Sequence, residues 1–303
     1  MDARSLVFIS QSERKLRAPW RILIFVLVWV AVTLVSAALV QGIQGAAPAG
    51  VRTILYYWID FAAILIATFV SLQWVDGADW KFVRLSRASA QPALLSSGFL
   101  MGMVAIGAPC VVLLATHELR IVPAESGNWA LAAGQMALFL LPAAAAEELL
   151  MRGYIFSVLR ETIGWKSTLI ATSIAFGLLH LRNPGADPET IVAVIIAGFF
   201  LGTILLVTES LYAAWMAHCA GNGTMAAGLH TSVSGLGVTA PNYHVIDNGP
   251  AWLTGGSGGP EGGVAAALGM FVFLFYLHGR YRERLASETA RNEQEDGSPL
   301  SRG

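Results

Sequence analysis

The strongest constraint on the fold is a series of long apolar blocks separated by short polar segments. An apolar stretch of about 20 residues is long enough to cross a bilayer as a helix. Only 13% of the 303 residues are charged, about half the share found in soluble domains. We therefore predict an all-α, polytopic integral membrane protein with about eight transmembrane helices in the lipid bilayer. The blocks lie at about residues 20–40, 54–75, 93–115, 130–159, 167–181, 191–207, 211–229 and 264–277.

The distribution of basic residues supports eight spans. With an even number of spans, both termini lie on one side of the membrane, and that side then carries 16 of the 19 Lys and Arg residues. The other side carries only Arg52, Arg120 and Arg182. Cytoplasmic segments of membrane proteins are enriched in Lys and Arg. The sequence therefore predicts a protein of the cell membrane with both termini in the cytoplasm.

The chain divides into four regions by composition. Residues 1–129 are a cytoplasmic segment and the first three membrane helices, and residues 130–230 hold the polar groups of a candidate catalytic core. Residues 231–285 comprise a Gly-rich outer loop, which we expect to be irregular, and the last membrane helix. Residues 286–303 have almost no apolar content, which predicts a disordered cytoplasmic tail.

A small set of polar side chains lies inside the predicted spans. An ionisable group there costs about 3 kcal/mol and is a functional candidate by default. At 1.5 Å of rise per residue, the groups on the fourth, fifth and seventh blocks reach a similar depth near the middle of the membrane. Three helices therefore contribute polar groups to one layer, which is typical of a site. The set comprises Asp60, Glu147, Glu148, Arg152, His180, His218 and Asn222.

Spacing within each helix predicts which of these side chains share a face. Residues four apart are neighbours on a helix, so Glu148 and Arg152 can form an ion pair. Glu147 is rotated by about 100° from Glu148 and can point elsewhere. By the same spacing, Phe176 can pack on His180, and His218 and Asn222 form one hydrogen-bonding stripe.

These groups suit peptide hydrolysis with water as the direct nucleophile. A carboxylate such as that of Glu147 can take a proton from water, and His180 can orient that water. His218 and Asn222 can donate hydrogen bonds to the oxyanion that forms when water attacks a carbonyl. We therefore predict catalytic roles for these four residues.

Three motifs carry a resemblance to a known family. "EELLMR" (147–152), "FGLLH" (176–180) and "HCAGN" (218–222) resemble the EExxxR, FxxxH and HxxxN motifs of the CPBP intramembrane proteases. That family includes the CAAX prenyl endopeptidases of the Rce1 type and the Abi, or bacteriocin-processing, proteins. The resemblance covers about residues 130–230.

The resemblance implies a role for each motif residue. Glu147 and His180 would activate water, and His218 and Asn222 would form the oxyanion hole. Glu148 and Arg152 would support the site, and Phe176 belongs to the second motif. The implied substrate is a membrane-associated peptide or protein, either a prenylated CAAX peptide or a peptide of another kind.

Other interpretations of the same residues stay open. Glu148 and Arg152 can be a purely structural ion pair, and His218 and Asn222 can be hydrogen-bonding contacts between helices. Zinc could be held by Glu147, His180 and His218, although no HExxH motif is present and we favour a protease without a metal or other cofactor. A protein without catalytic activity, for bacteriocin immunity, peptide binding or transport, is the alternative class.

The remaining polar features predict no further site. Asp60 has no evident partner at its depth, and His117, His230, His244 and His278 lie at block ends or in loops, where we expect them to be solvated. Basic residues form no patch of the kind that binds nucleic acid, so no nucleic-acid partner is predicted.

Overall fold

The helices of the computed structural model follow one another in the order of the apolar blocks. The structure describes residues 15–44 and 48–296. The helices are α1 (Ala18–Gln44), α2 (Ala49–Val70), α3 (Pro92–Ala115), α4 (Trp129–Glu148), α5 (Ile155–Leu179), α6 (Pro188–Thr208), α7 (Leu211–Gly223), the short α8 (Ala251–Thr254) and α9 (Val264–Asp296). Segments of π-helix continue α2 to Asp76, α4 to Tyr154 and α7 to Leu229.

The chain reverses direction inside α5, at Gly164. This residue has φ 75° and ψ 164°, a conformation outside the helical region that favours glycine. Glu147 lies 17 residues before Gly164 and His180 lies 16 residues after it, yet the two side chains approach within 3.9 Å. The segments before and after Gly164 therefore run antiparallel to each other as two separate passes. With this turn, the described residues cross the bundle eight times.

The helices have the length and apolarity of membrane spans. Six segments of the described chain meet both requirements, and the longest, Trp129–Arg182, has 54 residues because it includes the two passes joined at Gly164. Large apolar side chains cover the outside of the bundle; Leu39, Val272 and Phe275 are each at least two-thirds exposed. Such a surface suits lipid and not water. The protein is an all-α, polytopic integral membrane protein, as the apolar blocks predict.

One end of the bundle carries a small antiparallel sheet. Its strands are β1 (Leu119–Pro123) and β2 (Tyr243–Asp247), with Ile121 opposite Val245. We call this end, with the residues 183–187 and 231–263, the strand end. The expectation of an irregular loop at 231–263 was therefore wrong in part, because its backbone pairs with β1. A strand that pairs with a segment more than a hundred residues away leaves little local signal.

The last helix is longer than the sequence predicts. Helix α9 continues to Asp296, so the expectation of a disordered tail from residue 286 was wrong for its first eleven residues. Polar residues with good helix propensity extend a helix that the apolar span has already nucleated. Residues 1–14 of the predicted cytoplasmic segment and residues 297–303 of the tail lie outside the described residues.

Small residues bring α3 and α7 into close contact. A Cβ atom added at Gly98 would lie 2.2 Å from the carbonyl oxygen of Ala213, and one added at Gly102 would lie 1.9 Å from that of Ala217. The two glycines are four residues apart, the spacing that allows close helix packing in membranes. Since His218 follows Ala217, this contact also sets the position of the histidine.

The end of the bundle opposite the sheet is held by ion pairs. Arg21 contacts Asp76 at 2.8 Å and Glu161 at 2.9 Å, which ties α1 to α2 and α5. Glu209, in the turn between α6 and α7, is paired with both Arg84 and Arg160. These contacts close the end of the bundle at which the basic residues concentrate.

Candidate active site

The centre of the site is the carboxylate of Glu147. Its Oε2 atom lies 3.9 Å from Nε2 of His180 and 3.8 Å from Nε2 of His218. Oε2 is buried and has no hydrogen-bond partner in the described chain, although the whole side chain is 41% exposed. A buried polar atom without a partner is costly. Its place between two imidazoles therefore indicates a position for a water molecule or a substrate atom.

Local structure fixes the orientation of His180. The residue begins a short 3₁₀ turn, His180–Arg182, at the end of α5. Its Nδ1 atom lies 2.8 Å from the carbonyl oxygen of Phe176. A carbonyl only accepts, so Nδ1 carries the hydrogen and donates. In the neutral ring, Nε2 is then an acceptor, and it faces Glu147.

The second glutamate of the pair points to different partners. The Oε1 atom of Glu148 lies 3.2 Å from Arg152 and 2.9 Å from Nδ1 of His218. Glu148 is 1% exposed and Arg152 is fully buried. The predicted ion pair between residues 148 and 152 is present. Its contact with His218 was not predicted, because it depends on how α4 packs against α7.

The contact with Glu148 defines what His218 can donate. Since a carboxylate only accepts, Nδ1 of His218 carries a hydrogen. In the neutral ring Nε2 is an acceptor; in the charged ring Nε2 also carries a hydrogen and can donate. Glu148 lies next to this ring as a counter-ion. A hydrogen bond donated from Nε2 therefore requires the charged ring, with Glu148 as its neighbour.

Phe176 packs at the centre of the polar groups. Its ring centroid is 4.8 Å from that of His180 and 6.0 Å from that of His218. The guanidinium of Arg152 lies over the same ring at 4.3 Å and also donates to the carbonyl oxygen of Gly198 at 3.1 Å. The aromatic ring thus packs against both imidazoles and the guanidinium of Arg152, which limits the orientations of these side chains.

Asn222 lies on the same helix as His218 and faces the same space. It is 8% exposed, and its side-chain amide makes no hydrogen bond to another group in the described part of the chain. Together with His180 and His218 it lines a cavity of about 50 Å³. A separate cavity of about 130 Å³ lies beside Glu147 and reaches Met151. The groups of the predicted oxyanion hole therefore border open space, as binding of a substrate carbonyl requires.

The residues considered for zinc are close together. A tetrahedral zinc ion with bonds of about 2.1 Å would hold two ligand atoms about 3.4 Å apart, whereas a water hydrogen-bonded to both at about 2.8 Å would hold them about 4.6 Å apart. The distances of 3.8 and 3.9 Å from Glu147 to His218 and His180 lie between these values. In the described ranges, no group of three or more His, Cys, Asp or Glu side chains has an arrangement that could hold a metal ion.

Two expectations about polar residues outside the site were wrong. Asp60 does have a partner, since the indole nitrogen of Trp29 donates to its carboxylate at 3.4 Å. His230 is 4% exposed and donates from Nδ1 to the carbonyl oxygen of Tyr243 at 2.6 Å. Both contacts join segments that are distant in the sequence or separated by a loop, so the spacing of residues gives no sign of them.

A comparison with protein families agrees with the three motifs. Residues 128–224 match a family model described as type II CAAX prenyl endopeptidase Rce1-like. The matched segment extends from the residue before α4 into the π-helical end of α7 and contains all three motifs. No curated protein and no solved structure matches the chain. The match confirms the resemblance to the CPBP proteases and supports a peptide hydrolase of the membrane.

Proposed function

We propose that the protein is an intramembrane endopeptidase of the CPBP type that uses a water molecule activated by Glu147. The substrate is a membrane-associated peptide or protein, with a prenylated CAAX peptide as the first candidate. The observation that carries the proposal is the position of the buried Oε2 atom of Glu147 between the Nε2 atoms of His180 and His218. The family match at residues 128–224 supports the same reaction class.

The nucleophilic water is held by two acceptors. The Glu147 carboxylate and the unprotonated Nε2 of His180 each accept a hydrogen bond from the same water. The lone pairs of its oxygen then point away from both side chains and toward the substrate. As the oxygen attacks the scissile carbonyl carbon, Glu147 takes a proton, and a tetrahedral intermediate forms.

The oxyanion of that intermediate is held by residues of α7. Nε2–H of the charged His218 and the side-chain amide of Asn222 donate to it. Glu148 keeps the charge on His218 through the hydrogen bond at 2.9 Å. Arg152 also donates to the carboxylate of Glu148, so this buried carboxylate is paired with both His218 and Arg152.

Collapse of the intermediate completes the hydrolysis. The carbon–nitrogen bond breaks, and the protonated Glu147 gives its proton to the leaving amine. The products are an amine and a carboxylic acid, which passes its proton to the amine or to solvent on release, and the glutamate returns to its starting form. The protein itself forms no covalent bond to the substrate.

The proposed orientation follows from the charge distribution. The end of the bundle with Arg84 and Arg160 faces the cytoplasm of the cell, and the strand end faces outward. A cysteine at Ser126, exposed at the strand end, should react with a membrane-impermeant maleimide in intact cells. A cysteine at Ala88 should react only after permeabilisation, and the reverse pattern would contradict the orientation.

Cleavage of a panel of quenched peptides by the purified protein tests the function. The panel includes a prenylated CAAX peptide and its unprenylated form. We expect the wild type to cleave at least one peptide, and Glu147→Gln to lose this activity while its thermal unfolding stays the same. Glu125→Gln, at an exposed residue that the proposed site does not use, serves as a folded control with a changed carboxylate.

A chelator in the same assay separates the mechanisms. Activity that survives the chelator supports water activated by Glu147 alone, whereas activity that the chelator removes and zinc restores would assign zinc to Glu147, His180 and His218. If the wild type cleaves no peptide and Glu147→Gln keeps every cellular phenotype, the protein instead binds or transports its partner.

A further inference from the structure

A second carboxylate faces the cavity that contains His180, His218 and Asn222. Glu261, in the short 3₁₀ turn Pro260–Gly262 at the strand end, lines this cavity together with Ser234. The rest of the lining is largely apolar and includes Val194, Leu201 and Met270, among others. The cavity is therefore lined by candidate catalytic groups, by apolar side chains and by one further carboxylate.

Glu261 is held firmly in this position. Its Oε1 atom accepts hydrogen bonds from the backbone nitrogen and the hydroxyl of Ser234, both at 2.7 Å. Ser234 has φ 51°, in the left-handed region. The neighbouring Gly235 packs so closely on Pro184 that an added Cβ would lie 2.0 Å from its carbonyl oxygen. The carboxylate is thus fixed by a loop that has little freedom to move.

In the part of the chain that the structure describes, no nearby Lys or Arg balances the negative charge of Glu261. Within residues 15–44 and 48–296, no Lys or Arg lies within ion-pair distance of it, and Oε2 receives no hydrogen bond. The chain has no Lys or Arg at all between residues 183 and 279. A carboxylate that borders a largely apolar cavity without a counter-ion favours binding of a cation.

The size of the cavity limits what can bind. A volume of about 50 Å³ has room for about four water molecules, at about 10–15 Å³ for each. A linear chain of four or five non-hydrogen atoms occupies a similar space. The methylene stem of a lysine fits an apolar wall, and its ammonium group fits a carboxylate at the end.

We propose that this cavity is a specificity pocket for a lysine side chain of the substrate, with Glu261 as the residue that binds the ammonium group. The proposal rests on the proposed peptide hydrolysis, since His180, His218 and Asn222 line the same cavity. It adds the substrate class: peptides with a basic residue close to the scissile bond.

Peptides that differ in one charge test the pocket. Lysine and norleucine share a four-carbon stem, and only lysine ends in an ammonium group. The residue before the scissile bond and the residue after it are each changed in turn to lysine or norleucine. At one position we expect wild-type kcat/KM to be at least about tenfold higher for lysine, as a charge-assisted hydrogen bond provides.

Two variants separate the charge of Glu261 from its structural contacts. Glu261→Gln keeps an oxygen that accepts from Ser234 but removes the charge, so the lysine preference should fall below about threefold while the norleucine peptide is cleaved at the wild-type rate. Ser234→Ala keeps the charge and should keep the preference. A preference that survives in Glu261→Gln, or that the wild type lacks, overturns the proposal.

A binding measurement makes this test independent of catalysis. The inactive Glu147→Gln protein in lipid nanodiscs is titrated with n-pentylamine, a cation at neutral pH, and with n-pentanol. We expect the amine to bind at least about tenfold more tightly than the alcohol, and this difference to vanish when Glu261→Gln is added. Equal binding of the two ligands would overturn the lysine pocket.

The cleavage and binding experiments also distinguish the lysine pocket from the proposed protease. If peptides are cleaved but neither experiment shows a preference for the ammonium group, the pocket is refuted and the protease stands. If no peptide is cleaved but the amine binds through Glu261, the protease is refuted and the cation site stands.

Discussion

The Nδ1 atom of His218 lies 2.9 Å from the Oε1 atom of Glu148. This contact joins α4 to α7 and gives the second glutamate of the pair a task distinct from that of the first. Glu147 faces the two Nε2 atoms, whereas Glu148 holds the back of one imidazole and pairs with Arg152. The two neighbouring carboxylates therefore serve opposite sides of the same histidine.

Substitution of Glu148 tests its influence on His218. Glu148→Gln keeps an oxygen that accepts from Nδ1 but removes the charge next to the ring, so the donating form of His218 loses its counter-ion. We expect kcat for peptide cleavage to fall by about 10²-fold or more, as for loss of one oxyanion donor. KM should change by less than about threefold. An unchanged kcat in a folded variant would show that Glu148 is only structural.

The buried ion pair should show strong coupling in stability. Glu148→Gln alone leaves Arg152 fully buried without its counter-ion, and Arg152→Met alone leaves Glu148 with only His218. Breaking such a pair costs about 3–5 kcal/mol. The double variant removes both charges and should unfold at a higher temperature than the worse single variant, but without recovery of activity. Additive losses in the double-mutant cycle would show that the two charges act independently.

The close contact of α3 and α7 should link packing to activity. A methyl group at residue 102 meets the backbone of Ala217, so Gly102→Ala must push α7 and His218 away. We expect a loss of stability of about 1–3 kcal/mol and a clear loss of peptide cleavage.

Gly134 offers a matched control for that substitution. It also lies inside a helix, but an added Cβ would meet nothing within 4 Å. Gly134→Ala should be neutral or stabilise the protein by about 0.4–1 kcal/mol. If the two alanine variants behave alike in both thermal unfolding and peptide cleavage, the α3–α7 contact does not position His218.

The first turn of α6 should give a pH-dependent contribution to stability. The side chain of Asp187 accepts a hydrogen bond from the backbone nitrogen of Thr190 at 2.7 Å. This hydrogen bond holds the pKa of Asp187 below its usual value. A lowered pKa in the folded state means that the stabilisation is present above the usual pKa of aspartate, about 3.9. It is lost as the pH falls through the folded value.

Unfolding of Asp187 variants in detergent checks this contribution. Asp187→Ala should lose about 1 kcal/mol or less at pH 7, because the carboxylate is exposed, and the difference from wild type should shrink below about pH 4. Asp187→Asn can still cap the helix and should show little change with pH. A difference between wild type and Asp187→Ala that is constant from pH 7 to pH 3 would contradict the capping role.

Local spacing explains what could be predicted from the sequence. The helices follow the apolar blocks because each block has to satisfy its own backbone in lipid. The contact of Glu148 with Arg152, and that of Phe176 with His180, follow from the geometry of a single helix. A common depth for Glu147, His180 and His218 follows from counting residues along each span.

The remaining features depend on how separate segments meet. The contact of Glu148 with His218 joins residues 70 positions apart and requires a particular rotation of α7 against α4. Pairing of β1 with β2, and of Trp29 with Asp60, has the same origin. The reversal at Gly164, by contrast, lies in the polar segment 160–166 between the fourth and fifth apolar blocks, so the sequence does predict it.

Isotope transfer in a single turnover tests the central claim most directly. Excess wild-type protein cleaves one peptide in H₂¹⁸O, and the product and the protein are analysed by mass spectrometry. Because Glu147 is proposed to take a proton from water and not to attack the carbonyl itself, one ¹⁸O should appear in the new carboxylate of the product in the first turnover. The fragment that contains Glu147 should carry none. A first-turnover product without ¹⁸O, or ¹⁸O incorporated into Glu147, would contradict water as the direct nucleophile.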